Sequence, residues 1–106
     1  MRIIIPNPKT VEEAKKIADR SAEDLFSKAA GTIVQVTEVQ KNWSGDTMSF
    51  SFRAGIAMLT TQITGTVAVT SKDVTIDVVI PEILKQFLPE ESFKQGIEGR
   101  VKGLLT

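Results

Sequence analysis

Trp43-Ser44-Gly45-Asp46-Thr47-Met48-Ser49-Phe50-Ser51-Phe52 is the stretch on which the fold of this sequence turns. A turn signal runs straight into a strand. Met48, Phe50 and Phe52 occupy one side of a period-two pattern, and Thr47, Ser49, Ser51 and Arg53 occupy the other. That alternation describes an antiparallel strand with one face in a core and the other in water. Asn42 to Asp46 reads as the turn, in which Gly45 takes a positive φ and Ser44 or Asp46 bonds nearby amides. Trp43, the only tryptophan, is expected to lie largely buried against the end of the sheet, forming one structural motif with Gly45, Asp46 and Phe50.

Downstream, Ala54-Gly55 makes the next break, so a hairpin is expected to close near Gly55. The segment from Ala57 to Thr70 is long for one strand. Gly65 within it predicts a bulge or bend, or the close approach of another element. Ile63, Val67 and Val69 face one way, while Gln62, Thr64, Thr66 and Thr70 face the other. Ser71-Lys72-Asp73 turns the chain again, and Val74, Ile76, Val78 and Ile80 continue the inward face. Three successive strands with one apolar and one Thr/Ser-rich side describe an antiparallel meander covered by helices on one face. The polar outer face is left to solvent or to a homodimer.

Upstream, Arg2-Ile3-Ile4-Ile5-Pro6 is a short β-branched strand stopped by proline, suited to a sheet edge. Thr10-Val11-Glu12-Glu13 fits a capping box that starts a helix. Val11, Ala14, Ala18, Ala22, Leu25 and Ala29 recur at intervals of three and four, widened by Ile17 and Phe26, and Gly31 ends the helix. Glu12 with Lys16 and Lys15 with Asp19 read as intrahelical pairs on its outer face. Thr32 to Val39 is a β-branched strand that carries Val34 and Val36 inward.

After Pro81, the apolar cluster Ile83, Leu84, Phe87 and Leu88 fits one turn of helix that Pro89 ends. A turn so short cannot bury an apolar cluster on every side, so these four residues either cap the open end of the core or form the candidate contact for a partner. A last helix is expected from Glu90 to Leu105, with Phe93, Ile97, Val101 and Leu104 on one side. Gly96, Gly99 and Gly103 each cost about 1 kcal/mol there against alanine. The end of the chain is therefore expected to be either frayed or tightly packed.

The chain has 106 residues, 42% hydrophobic and 25% charged, with 13 basic and 13 acidic side chains. Such a composition describes a single globular domain over 1–106, long enough to bury about two-thirds of its unfolded surface. The balance of charge argues against a nucleic-acid partner, which needs clustered Lys and Arg. Cysteine and histidine are absent, so disulfides, thiol nucleophiles, Cys/His metal sites and histidine triads are excluded. Glu12-Glu13 and Glu90-Glu91 sit at helix starts, where carboxylates complement the macrodipole rather than converge for acid and base work. No catalytic residue, metal ligand or cofactor is therefore expected. No stretch approaches the roughly 20 apolar residues of a membrane span, and a cytoplasmic protein is the expectation.

Taken together, the elements describe an α+β fold in the order β-α-β-β-β-β-α, a mainly antiparallel sheet with helices on one face in a helix-grip-like arrangement. The succession is specific: the helix built from Glu12-Glu13-Ala14, Trp43-x-Gly45-Asp46, Met48-Ser49-Phe50-Ser51-Phe52, Gly65-Thr66-Val67-Ala68-Val69, and Val74 through Pro81 before the closing helix. It resembles the polyhydroxyalkanoic acid system family, small bacterial proteins assigned to the regulation of storage-polyester granules. The resemblance covers nearly the whole chain. It implies a non-enzymatic accessory protein whose partner is the polyhydroxyalkanoate granule or its proteins, and it supplies no catalytic residues. The stretch from Ala54 to Gln62 is longer than the family pattern. A second reading is a small carrier holding an apolar ligand between the sheet and the last helix.

Overall fold

A computed structural model of the chain describes residues 1–30, 34–87 and 89–106, without the side chains of Ala29 and Ala30. The elements are β1 (Arg2–Pro6), α1 (Val11–Ala30), β2 (Gln35–Ser44), β3 (Thr47–Ile56), β4 (Leu59–Val69), β5 (Asp73–Val79), α2 (Glu82–Lys85) and α3 (Glu90–Leu105). The five strands form one sheet in the order β1-β5-β4-β3-β2, and every neighbouring pair is antiparallel. The fold is α+β in the expected order. Gly31, Thr32, Ile33 and Leu88 lie outside the described residues.

The meander forms because each of its strands alternates. Met48, Phe50, Phe52 and Ala54 of β3, Ile63, Val67 and Val69 of β4, and Val74, Ile76 and Val78 of β5 are all buried on one face, joined by Ile3 and Ile5 of β1. α1 starts where Thr10 Oγ1 accepts from the Glu13 amide at 3.1 Å, half of the expected box. It lays Ala14, Ala22, Leu25 and Phe26 on that face. The Phe26 ring lies 4.5 Å from Phe50 and 5.1 Å from Phe52, centroid to centroid, and makes the aromatic centre of the core. α3 packs beside α1 and against β1.

Several expectations change once the strands are paired. β2 runs on to Ser44, and its hairpin with β3 closes in only two residues, Gly45 at φ +61 and Asp46, with Trp43 still in the ladder opposite Met48. The register of β2 slips between Thr37 and Gln40, and Glu38 there has φ +52, so one extra residue bulges out. The second hairpin closes beyond Gly55, through Ala57 and Met58, with Ile56 opposite Leu59. β4 is one unbroken strand without a bulge at Gly65. Gly65 instead marks a close approach: a Cβ there would overlap the carbonyl oxygen of Asp77 and the ring of Phe50, which stands directly opposite.

In α3 the buried row is Phe93, Ile97, Val101 and Leu105, while Leu104 is 42% exposed. A strict i+4 row reaches position 105, so the helix turns Leu104 outward. A Cβ at Gly99 or Gly103 would meet nothing within 4 Å, yet the helix continues to Leu105. Neither tight packing nor fraying accounts for these two glycines.

Candidate functional site

The segment after β5 is held to the core by Ile80 and Leu84. Pro81, at φ −59, precedes α2, the Leu84 amide donates to the Pro81 carbonyl at 3.0 Å, and the Phe87 amide donates to that of Leu84 at 3.0 Å. Leu84 is fully buried and belongs to the hydrophobic core. One turn of helix can present only one of its positions to the core, so the flanking apolar side chains face outward: Ile83 is 48% exposed and Phe87 49%. Leu88, the fourth member of the cluster read from the sequence, is outside the described residues. Lys85 pairs with Glu82 at 3.3 Å on the solvent side.

Strand register places this rim. β5 ends at Val79, opposite Thr64, whereas β4 extends back a further five residues to Leu59, about 17 Å of strand at roughly 3.4 Å per residue. α2 therefore leaves the sheet at the same end as the β3–β4 hairpin, and Val79, 66% exposed, lies just before it.

The Trp43 motif sits elsewhere and acts differently from the sequence expectation. Trp43 is only partly buried, beside the β2–β3 turn at the end of the sheet, and packs against the core from there. Its indole Nε1 donates to Asp19 Oδ1 at 3.0 Å. Lys15 Nζ stands 5.2 Å from the ring centroid and 3.1 Å from Asp46 Oδ1. Lys41 Nζ donates to the Asp19 carbonyl oxygen and lies 3.6 Å from its carboxylate. The indole hydrogen bond, helped by Lys41, holds the Asp19 carboxyl below its usual value. Lys15 and Asp19, expected to pair along α1, thus reach across to β2 and its turn and fasten the edge strand to the helix. Gly45 makes the turn and Phe50 belongs to the aromatic centre, so the four motif residues have structural roles in three places. The bulge conceals this from the sequence, because it returns Lys41 and Trp43 to the inner face after Thr37.

Two further concavities differ in kind. A shallow depression of about 560 Å³ lies on the outer sheet face, lined by hydroxyl and amide side chains that include Gln40, Asn42, Ser49, Ser51, Thr64 and Thr66. Asp77 at its border is held below the usual carboxylate range by the Arg2 guanidinium, 2.8 Å away. Between the sheet, α1 and α3 the free space is about 30 Å³, one water's worth and far below the roughly 300 Å³ of a ligand pocket. Among the described residues no group of three or more carboxylates is placed to hold a metal ion. No helix of the described residues is long and apolar enough to cross a membrane.

Compared with known families, residues 1–105 match a family described as "Putative polyhydroxyalkanoic acid system protein". The chain belongs to this family. The match runs from β1 to the last buried residue of α3, so every element described above lies within it. No curated protein matches the chain. Membership of the polyhydroxyalkanoic acid system family connects the chain with polyhydroxyalkanoate storage, and the family description assigns no residue a role.

Proposed function

We propose that this protein is a non-enzymatic, cytoplasmic accessory and regulatory protein of polyhydroxyalkanoate storage that binds the granule surface or granule proteins through the α2 end of its sheet. The carrying observation is the α2 rim: Leu84 is locked in the core while Ile83 and Phe87, on the same turn, stay half exposed. Burying a few hundred Å² of such apolar surface is worth several kcal/mol at about 25 cal/mol per Å², before the cost of association. Family membership supplies the storage context. The Asp19 and Asp77 carboxyls, on the surface, are held below their ordinary value by the Trp43 indole and the Arg2 guanidinium, opposite to what a general acid near neutral pH requires. A carrier role finds no support in an interior gap of about 30 Å³.

Co-sedimentation with isolated granules tests the proposal, comparing wild type with a variant carrying Ile83→Ser and Phe87→Ser whose fold has been checked by circular dichroism. Wild type is expected in the granule fraction and the folded variant in the supernatant. Equal sedimentation moves the contact away from α2. Wild type remaining in the supernatant removes granule association.

A further inference from the structure

The β3–β4 hairpin ends in Ile56-Ala57-Met58-Leu59, four apolar residues where a two-residue hairpin turn ordinarily carries Gly, Asn or Asp. Ala57 has φ +55, a left-handed conformation that costs an L side chain energy. Met58 is 100% exposed. The chain makes the same kind of turn between β2 and β3, and there it uses Gly45-Asp46 with Gly45 at φ +61. The fold thus accommodates ordinary turn residues in this geometry. At the second hairpin it keeps a strained alanine and leaves a methionine wholly in water. A local rule broken without a structural gain is the mark of a functional position.

The surroundings narrow the choice of partner. No residue from Ala54 through Ser71 carries a charge, and Arg53, opposite Gln62, is paired with Glu38 at 3.4 Å, whereas segments that bind anionic membrane surfaces present Lys and Arg to the headgroups. The ladder ends at the Ile56–Leu59 pair, so the peptide amides of the two turn residues are left to find acceptors in whatever surface the tip meets. Thr60 and Gln62, exposed just behind the tip, can donate to a surface that offers only acceptors. An aliphatic polyester is such a surface, neutral and apolar with ester carbonyls as its only hydrogen-bonding groups. Register also places the tip at the same end of the sheet as α2.

We infer that the Ala57–Met58 tip inserts into the uncharged surface of the storage polyester itself, as a contact point additional to the α2 rim. The choice of polymer rests on the storage reading above; the insertion rests on the hairpin. The sequence has no cysteine, so Met58→Cys carries a single environment-sensitive fluorophore, with Lys72→Cys in the β4–β5 turn at the opposite end as control. On protein-free particles of amorphous poly(3-hydroxybutyrate), the label at position 58 is expected to shift to the blue and the label at 72 to stay unchanged. Replacing the turn with Gly-Asn, A57G with M58N, is expected to keep or raise the melting temperature and to weaken sedimentation with the particles at least tenfold. An unshifted label at 58, or unchanged sedimentation of A57G/M58N, overturns the inference. So does an equal blue shift on neutral phosphatidylcholine vesicles, which assigns the tip to lipid. Wild type that sediments with isolated granules but not with protein-free polyester defeats insertion and leaves the granule reading standing.

Discussion

The same substitution, glycine to alanine, is expected to act with opposite signs at Gly65 and Gly99, and the difference comes entirely from what surrounds the new methyl group. At Gly65 the Cβ would overlap the Asp77 carbonyl oxygen and Phe50 Cζ, with Phe50 Cε1 2.9 Å away. Overpacking a core position costs about 1–3 kcal/mol. The Phe50 ring can tilt, but the Asp77 carbonyl belongs to the β5 backbone and cannot move without disturbing its pairing with β4. We therefore place Gly65→Ala near the upper end, offset by about 0.5–1 kcal/mol from the stiffer unfolded chain, for a net loss of about 2 kcal/mol. That is a large part of a stability of about 5–15 kcal/mol, and lowers Tm by roughly 8–16 °C. At Gly99 nothing lies within 4 Å of the new methyl group, so alanine's helix propensity acts alone and stabilises by up to about 1 kcal/mol. Urea melts followed by circular dichroism read both variants against wild type. Adding Phe50→Leu to Gly65→Ala should restore only part of the loss, since the carbonyl overlap persists. A Gly65→Ala midpoint equal to wild type would refute the close-approach argument, and a destabilised Gly99→Ala would show that the outer face of α3 is not open.

Two further outcomes follow from the site geometry. The Asp19 carboxyl has a lower pKa folded than unfolded, so the folded state holds fewer protons; its contribution is complete above the ordinary value of 3.8 and disappears as pH falls through the lowered one. The stability difference between wild type and Asp19→Asn, from melts across pH 2 to 7, should be level above about pH 5 and shrink on acidification, and a difference that grows toward acid would contradict the Trp43–Asp19 hydrogen bond. In α2, Leu84→Ala should cost about 3 kcal/mol as a fully buried truncation, and Ile83→Ala less than half of that, because Ile83 is 48% exposed; equal losses in denaturant melts would mean that α2 faces the core differently.

The candidate contact was legible in part. Four apolar residues between Pro81 and Pro89 mark a short segment that cannot bury them all, and the sequence carries that conclusion without coordinates. That Leu84 is buried while Ile83 and Phe87 are half exposed depends on where the chain leaves β5, a matter of sheet geometry. The hairpin tip left a weaker trace. Ile56 to Leu59 contains none of the residues that announce a turn, so Gly55 draws the break toward itself, and only the pairing of Ile56 with Leu59 shows the turn at Ala57 and Met58.

What the sequence determined by itself is what neighbours along the chain encode: the period-two strands β3 to β5, the capped start of α1 at Thr10, the span of α3 from Glu90 to Leu105, and membership of a storage family. These signals are local, because burial of one face repeats every two residues in a strand and every three or four in a helix. What only the tertiary structure decided depends on residues far apart in sequence. The bulge in β2 inverts the alternation after Glu38, and pairing with β3 alone reveals that Lys41 and Trp43 return to the inner face. Asp19 and Lys15 satisfy the helix pattern as partners of each other, yet β2 and its turn lie within reach and claim both. Gly65 resembles any strand-breaking glycine until Phe50 and Asp77, fifteen residues before it and twelve after it, are seen to occupy the space a side chain would need.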